Sequence, residues 1–149
     1  MAKRVRFSFN DTGKCLLFGH NEHLAKDPAS MSLAEVGKDR VVMPETLAQL
    51  LMDDGMRVVT IWFLFNEGTH FPHPFDPSPS DTVEADPTRI ESSLAQIGDR
   101  FVLPLSGDMP TLLAEWTNYW SGGFNHSCVL SNQADAIVFM SNVTAPGIR

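Results

Sequence analysis

The pattern of hydrophobic and polar positions predicts an N-terminal region of strands and irregular chain. Residues 5–9 alternate between apolar and polar side chains, a period of two that is typical of a half-buried strand. A turn sequence follows, and residues 14–18 can return as the second strand of a hairpin. Residues 19–39 have no clear period, so we expect them to be irregular apart from a short helix around 32–36.

A helix and a strong strand are predicted next. Residues 44–55 begin with a proline and end with a glycine, and three leucines lie on one stripe between them: Leu47, Leu50 and Leu51. The segment 56–65 is apolar with little alternation, which predicts a strand that is buried on both faces. After a long polar segment, Asp86 and Pro87 are typical of the start of a helix.

The second half of the chain repeats this kind of pattern. The helix after Asp86 should bury Ile90, Leu94 and Ile97, and residues 101–105 are predicted to form a strand. A third helix is expected to begin at Asp108, to bury an apolar stripe and to end at Gly122 and Gly123; the stripe comprises Leu112, Leu113, Trp116 and Trp120. Residues 127–130 and 136–140 then resemble the two strands of a hairpin.

These elements predict the α+β class. We expect a single globular domain over residues 1–149, in which about three helices pack mainly on one face of a mixed sheet. A long acidic, proline-rich loop is expected at 66–86 and a loose tail at 142–149. With 43% hydrophobic and 19% charged residues, the composition is typical of a folded protein and not of a disordered one.

The apolar runs and the net charge indicate where the protein is located and which kind of partner it binds. No run approaches the roughly 20 residues that a membrane span requires, and no secretory signal is visible, so we expect a cytoplasmic protein. The formal net charge is −7, but residues 1–42 carry seven basic and five acidic groups, so the negative charge belongs to the remainder. An acidic surface repels nucleic acid and anionic membranes and favours a basic protein partner.

The acidic loop at 66–86 is the candidate binding element. It has no Lys or Arg, and a loop of this length in a compact domain usually has a function. Tyr119 lies off the apolar stripe of the predicted third helix, so we expect it to be exposed and to anchor a partner. The carboxylates predicted to bind are Glu67, Asp76, Asp81, Glu84 and Asp86.

The same loop offers a candidate metal site. His70 and His73 are three positions apart, and Asp76 lies three positions further on. Two imidazoles and one carboxylate can hold a divalent transition metal and leave positions open for water or substrate. No established metal signature matches this spacing, so the expectation is that no cofactor is required, with such a metal as the alternative.

A cysteine site is the weakest candidate. His126 and Cys128 are two positions apart on a predicted strand, so the imidazole can face the thiol. No third group is identifiable, which favours ordinary packing of both side chains in the strand.

The leading prediction is a small acidic binding protein, such as an inhibitor or immunity-type factor, that engages a basic protein surface through residues 66–86. One alternative is a metal-dependent enzyme centred on His70, His73 and Asp76. A second alternative is a structural subunit of a symmetric homo-oligomer.

Overall fold

The structure, a computed structural model, describes residues 13, 16–33, 41–70, 81–106, 111–121 and 124–144. The strand predicted at residues 5–9 lies outside these ranges, and residues 16–18 are not part of a strand. No helix in the described part of the chain has both the length and the apolar character that crossing a membrane requires.

The fold is α+β, with strands and short helices interspersed along the chain. The strands are β1 (Met31–Leu33), β2 (Val41–Val42), β3 (Ile61–His70), β4 (Asp81–Val83), β5 (Arg100–Pro104), β6 (Trp116–Ser121), β7 (Phe124–Val129) and β8 (Ala136–Val143). The helices are α1 (Leu47–Asp53), α2 (Ile90–Ala95), α3 (Thr111–Ala114) and α4 (Leu130–Gln133). Two 3₁₀ turns precede β1, at Asn21–Leu24 and Pro28–Ser30.

The described strands form two sheets instead of the single sheet that the sequence predicts. Sheet 1 has the order β2-β1-β7-β6 and is antiparallel. Sheet 2 has the order β4-β3-β8-β5 and is mixed, because β3 runs parallel to β8 while the other pairs are antiparallel. Each sheet therefore combines strands from distant parts of the sequence.

Strand β3 alternates between buried and exposed side chains, so the prediction of burial on both faces is wrong. Trp62 and Leu64 are buried, whereas Phe63 is 53% exposed and Ile61 is also exposed. On the outer face, Ile61 and Phe63 reach solvent, whereas Phe65 is partly buried and its ring lies 5.4 Å from that of Trp120. The strand also begins at Ile61 and extends to His70, five residues beyond the predicted end.

The predicted strand at 101–105 is confirmed as β5, and the helices are shorter than predicted. Helix α1 begins after Thr46, whose side chain accepts a hydrogen bond from the Gln49 amide, so the helix does not begin at the proline. Helix α2 buries Ile90 and Leu94, but it ends at Ala95 and leaves Ile97 69% exposed. The short predicted helix at 32–36 is replaced by β1 in its first two residues; the others lie outside the described ranges.

The third predicted helix is wrong over most of its length. Helix α3 is a single turn, and residues 116–121 form strand β6 instead. A run rich in aromatic residues and threonine has high strand propensity, which outweighs an apolar spacing that also fits a helix. The predicted hairpin between 127–130 and 136–140 is also wrong, because β7 and β8 belong to different sheets and are joined by α4.

The two sheets share one hydrophobic core. The rings of Trp62 in β3 and Tyr119 in β6 lie 5.5 Å apart between centroids and link sheet 2 to sheet 1. Ile137 and Phe139 of β8 and Leu94 of α2 belong to the same buried cluster. Helix α2 contacts β3, β8 and β6, so it holds both sheets together.

A glycine fixes the register at the far end of β3. Gly68 has φ of 130°, and a Cβ placed there would overlap the carbonyl oxygen of Val143 and lie 2.7 Å from its amide nitrogen. The backbones of β3 and β8 therefore approach closely at this point. Beyond it, β3 leaves β8 and pairs with β4 to form a hairpin.

Candidate functional site

The acidic segment 66–86 is not a loop at its two ends. Residues 66–70 belong to β3 and residues 81–83 form β4, and in this hairpin Gly68 pairs with Val83, Thr69 with Thr82 and His70 with Asp81. Val83 is buried, so the opposite face of the hairpin points outward. Residues 71–80, which include His73 and Asp76, lie outside the described residues.

Two predicted binding carboxylates face one another across this hairpin. The register, extended by one position, sets Glu67 opposite Glu84, and both side chains are exposed on the outward face. Like charges directly opposite one another in an antiparallel pair destabilise it by roughly 0.2–1 kcal/mol. The base of the hairpin therefore concentrates two negative charges on its exposed face.

Asp86 has a role within the fold. Its carboxylate accepts hydrogen bonds from the Thr88 hydroxyl at 2.7 Å and from the Thr88 amide at 2.8 Å, and these bonds lower the pKa of Asp86. The same carboxylate lies 3.7 Å from Nε of the buried Arg89, whose guanidinium also donates to the Glu84 carbonyl. Asp86 and Arg89 thus tie the end of β4 to the start of α2.

Of the predicted metal site, only His70 lies within the described residues, and His73 and Asp76 lie outside them. Backbone register places His70 opposite Asp81, a carboxylate that the sequence spacing did not associate with it. Within the described ranges, no group of three or more His, Cys, Asp or Glu side chains is arranged to hold a metal ion.

The predicted exposure of Tyr119 is wrong, because its side chain is fully buried. Its ring packs against Trp62 and lies 5.7 Å from the ring of His126, and its hydroxyl donates to Oε1 of Glu22 at 3.4 Å. In a strand, Tyr119 points into the core together with Thr117 and Ser121, whereas a helix would have placed it off the buried stripe. It cannot anchor a partner on the surface of this fold.

Glu22 is the centre of a polar cluster that the sequence patterns did not reveal, which we call the His20 cluster; it consists of His20, Glu22, Ser121 and His126. Oε2 of Glu22 lies 3.4 Å from Nδ1 of His20, and Oε1 lies 3.2 Å from Nε2 of His126. The other ring nitrogen of His20, Nε2, lies 3.1 Å from Oγ of Ser121. The Ser121 hydroxyl, the His20 imidazole and the Glu22 carboxylate are thus spatial neighbours, with the imidazole between the other two.

The first 3₁₀ turn and sheet 1 position this cluster. His20 precedes the turn that carries Glu22, while Ser121 ends β6 and His126 lies in the neighbouring β7. Side chains of the turn also hold it on sheet 2, because the Asn21 amide exchanges two hydrogen bonds with the backbone of Phe63. The turn is therefore fixed between the two sheets.

The charges of the cluster favour an ionised carboxylate. Burial of Glu22 raises its pKa, but the hydrogen bond to His20 and the proximity of His126 outweigh this effect, so the pKa is lowered overall. The hydrogen bond to Glu22 in turn raises the pKa of His20 above 6.5, against a smaller opposing effect of burial. The His20 side chain is 44% exposed and that of Glu22 13%, so the imidazole is the solvent-facing member.

The cysteine site is not formed. Cys128 is fully buried, and its burial, together with the charges of Glu91 and Glu22, raises the pKa of the thiol. His126 directs Nε2 toward Glu22 and the Ser121 carbonyl, as expected from packing in the strand. The described geometry therefore shows an inert thiol.

An apolar groove of about 830 Å³ opens beside the first 3₁₀ turn. Gly19, the residue before His20, and Leu24, at the end of the turn, both line it. Several of its other lining residues are exposed apolar side chains: Leu16, Phe18, Val59, Ile61 and Phe63. A groove of this size and character is typical of sites for small apolar ligands.

Comparisons with known proteins support the fold alone. No protein-family model matches the chain, and no curated protein matches it significantly. A crystal structure of a protein from Bacillus cereus is similar to 96% of this chain at 20% identity, with a TM-score of 0.70. A crystal structure described as a succinoglycan biosynthesis protein is similar to 96% of the chain at 18% identity, with a TM-score of 0.71. The chain spans 37% of the length of each of these proteins.

Proposed function

We propose that this chain is an acidic binding protein that engages a basic protein surface through the β3–β4 hairpin, as an inhibitor or immunity-type factor would. The observation that carries the proposal is the placement of Glu67 opposite Glu84 on the exposed face of the hairpin. Two carboxylates that repel one another in the free protein gain most when a Lys or Arg of a partner lies between them.

The surroundings of the hairpin support a cationic partner. Residues 66–86 contain five acidic and no Lys or Arg side chains, so no positive charge within the segment neutralises it. The adjacent Arg89 is buried and is bonded to the Glu84 carbonyl and the Asp86 carboxylate. Its charge is directed into the fold, and the outward face remains negative.

Charge reversal at Glu84 tests the proposal without disrupting the core. In Glu84→Lys, the new ammonium faces Glu67, so the free energy of unfolding should stay constant or rise by roughly 0.2–1 kcal/mol. Binding to an immobilised oligolysine peptide should weaken, and its salt dependence should become shallower. Chemical denaturation and surface plasmon resonance at several salt concentrations measure the two effects.

Glu115→Lys is the matched control, because it makes the same change in net charge at an exposed position outside the hairpin. It should weaken oligolysine binding far less than Glu84→Lys does. Equal losses in the two variants would show that net charge alone determines binding, and the hairpin would lose its assigned role.

A metal-dependent site is a second candidate, favoured by the backbone register that sets His70 opposite Asp81. An imidazole and a carboxylate at facing positions of a hairpin can supply two ligands to a divalent transition metal. His73 and Asp76 would complete the set from the connecting segment, as the sequence spacing suggests. The test is the metal content of the purified protein and of the double variant His70→Ala, His73→Ala.

A further inference from the structure

We propose that Ser121, His20 and Glu22 form a hydrolytic site for carboxylic esters, in which Ser121 is the nucleophile, His20 the general base and Glu22 the positioning residue. The proposal goes beyond partner binding by the hairpin and does not depend on it. It rests on the distances from Oγ of Ser121 to Nε2 of His20, 3.1 Å, and from Nδ1 of His20 to Oε2 of Glu22, 3.4 Å.

Hydrogen bonding determines which nitrogen of His20 is the base. With Glu22 ionised, Nδ1–H donates to its carboxylate, which leaves the lone pair of Nε2 directed at the Ser121 hydroxyl. Tyr119 donates to the other oxygen of Glu22, and Nε2 of His126 lies 3.2 Å from it. The Ser121 side chain also hydrogen-bonds the Glu22 carboxylate, so all three members of the site are in mutual contact. This arrangement fixes the tautomer and the ring orientation that proton removal from Ser121 requires.

The reaction follows from these positions. Oγ of Ser121 forms a bond to the ester carbonyl carbon while its proton moves to Nε2 of His20. The bond to the leaving alcohol breaks, and that oxygen takes the proton from His20, which leaves an acyl-serine. Water then attacks the acyl carbon as His20 accepts its proton, and the proton returns to Oγ as the acid departs. Ester and water are thereby converted to acid and alcohol.

The apolar groove indicates the kind of ester. It is lined by Gly19 and Leu24, on either side of the segment that carries His20 and Glu22, and its exposed side chains are aliphatic or aromatic except for Arg57. An acyl chain in this groove would be removed from water, at roughly 0.8 kcal/mol per buried methylene. We therefore assign to the site esters of apolar acids of medium length.

Covalent labelling tests the nucleophile directly. A fluorophosphonate reagent should modify the peptide that contains Ser121, as read by mass spectrometry, and Ser121→Ala should abolish the adduct. His20→Ala should slow labelling by about a hundredfold or more, because it removes the base. His23→Ala is the matched control, since His23 lies exposed on the same turn with its ring 6.2 Å from that of His20, and it should label within about twofold of the wild type.

A pH profile separates catalysis from a purely structural role of the cluster. Labelling should accelerate as pH rises through the pKa of His20, which the hydrogen bond to Glu22 raises above 6.5, because only the neutral imidazole accepts a proton. Glu22→Gln should shift this midpoint to lower pH. The titratable groups that contact His20 are Glu22 and His23 on its own turn, and Tyr119 and His126 on sheet 1 contact Glu22. Helix α1 and β3 meet the turn through Thr46 and Phe63, which do not titrate.

Four further results support or overturn the proposal. Ser121→Cys, which preserves the shape of the side chain at this 5% exposed position, should react with iodoacetamide along the same pH profile, because His20 can accept the proton of the new thiol. Cys128 is fully buried and the pKa of its thiol is raised, so it should remain unmodified. p-Nitrophenyl octanoate should be hydrolysed faster than p-nitrophenyl acetate; the opposite order would remove the groove from the site. If excess fluorophosphonate leaves Ser121 unmodified and ester turnover equals that of Ser121→Ala, the hydrolytic assignment is wrong. Glu84→Lys should not change labelling, so this inference and the hairpin proposal fail separately.

Discussion

Replacement of the buried Glu91 by Gln should change how the stability of the protein depends on pH. Glu91 lies in α2 with only 1% of its surface exposed. Its Oε1 accepts the Trp120 amide proton at 2.8 Å, and its Oε2 is buried with no hydrogen-bond partner among the described residues. Gln has nearly the same shape and can accept the same amide bond, but it carries no titratable charge.

The size of the effect follows from the pKa. Burial raises the pKa of Glu91 from 4.5 to about 7, although the bond from Trp120 opposes this. A difference of this size between the folded and the unfolded chain corresponds to about 3 kcal/mol, at about 1.4 kcal/mol per pKa unit.

Ionisation of Glu91 lowers the free energy of unfolding at high pH. Below pH 4.5 the carboxyl is protonated in both states and costs nothing. As the pH rises to about 7, the unfolded chain releases its proton while the folded protein retains it, so the free energy of unfolding falls. Above that pH the full penalty applies, because the folded protein must hold a buried, partly unpaired anion.

Urea denaturation at a series of pH values measures this prediction. The free energy of unfolding of Glu91→Gln, relative to the wild type, should rise by about 3 kcal/mol between about pH 4 and about pH 8.5. Contributions that do not depend on pH cancel in this comparison. Glu115→Gln, at an exposed position, is the control and should change the profile little. If the curves for Glu91→Gln and the wild type run parallel, the buried carboxylate is not protonated as argued.

Two further predictions concern the hairpin. Gly68→Ala should lower the free energy of unfolding by about 3 kcal/mol or more, since its Cβ would overlap the Val143 backbone and L-residues are strained at a φ of 130°. A loss under about 1 kcal/mol in thermal or urea denaturation would show that β3 can shift away from β8. For the metal alternative, the double variant His70→Ala, His73→Ala should remove any stoichiometric transition metal and the stabilisation by added zinc, which is about 2.7 kcal/mol at a hundredfold excess over Kd. His23→Ala is the control and should retain both the metal and the stabilisation. Wild-type protein that is purified without chelator and contains no metal would exclude this site.

The sequence predicted the elements whose local pattern and tertiary environment agree. Residues 100–104 alternate and pair with β8 along their whole length, so β5 lies within one residue of the predicted strand. Leu51 and Leu94 lie on the buried sides of α1 and α2, as their spacing indicated. The run from Trp116 to Trp120 fits a helical stripe and a strand equally well, and only its pairing with β7 decides between them.

The candidate sites were predictable to a smaller extent. Charge and the absence of Lys or Arg identified 66–86, but the register that sets Glu67 opposite Glu84 depends on strand pairing. The His20 cluster joins residues 101 positions apart, and no sequence window contains them. A histidine two positions before a glutamate was the only local signal, and it becomes informative once Ser121 is known to lie beside it.

The position of β8 between β3 and β5 has a consequence for synthesis on the ribosome. Both of these strands are made before β8, and each has most or all of its partners in residues 136–143. During translation, sheet 2 cannot assemble until residue 143 has left the exit tunnel, so the edges of β3 and β5 remain unpaired and their apolar side chains remain exposed. A nascent chain halted before residue 136 should therefore bind chaperones and fail to form sheet 2.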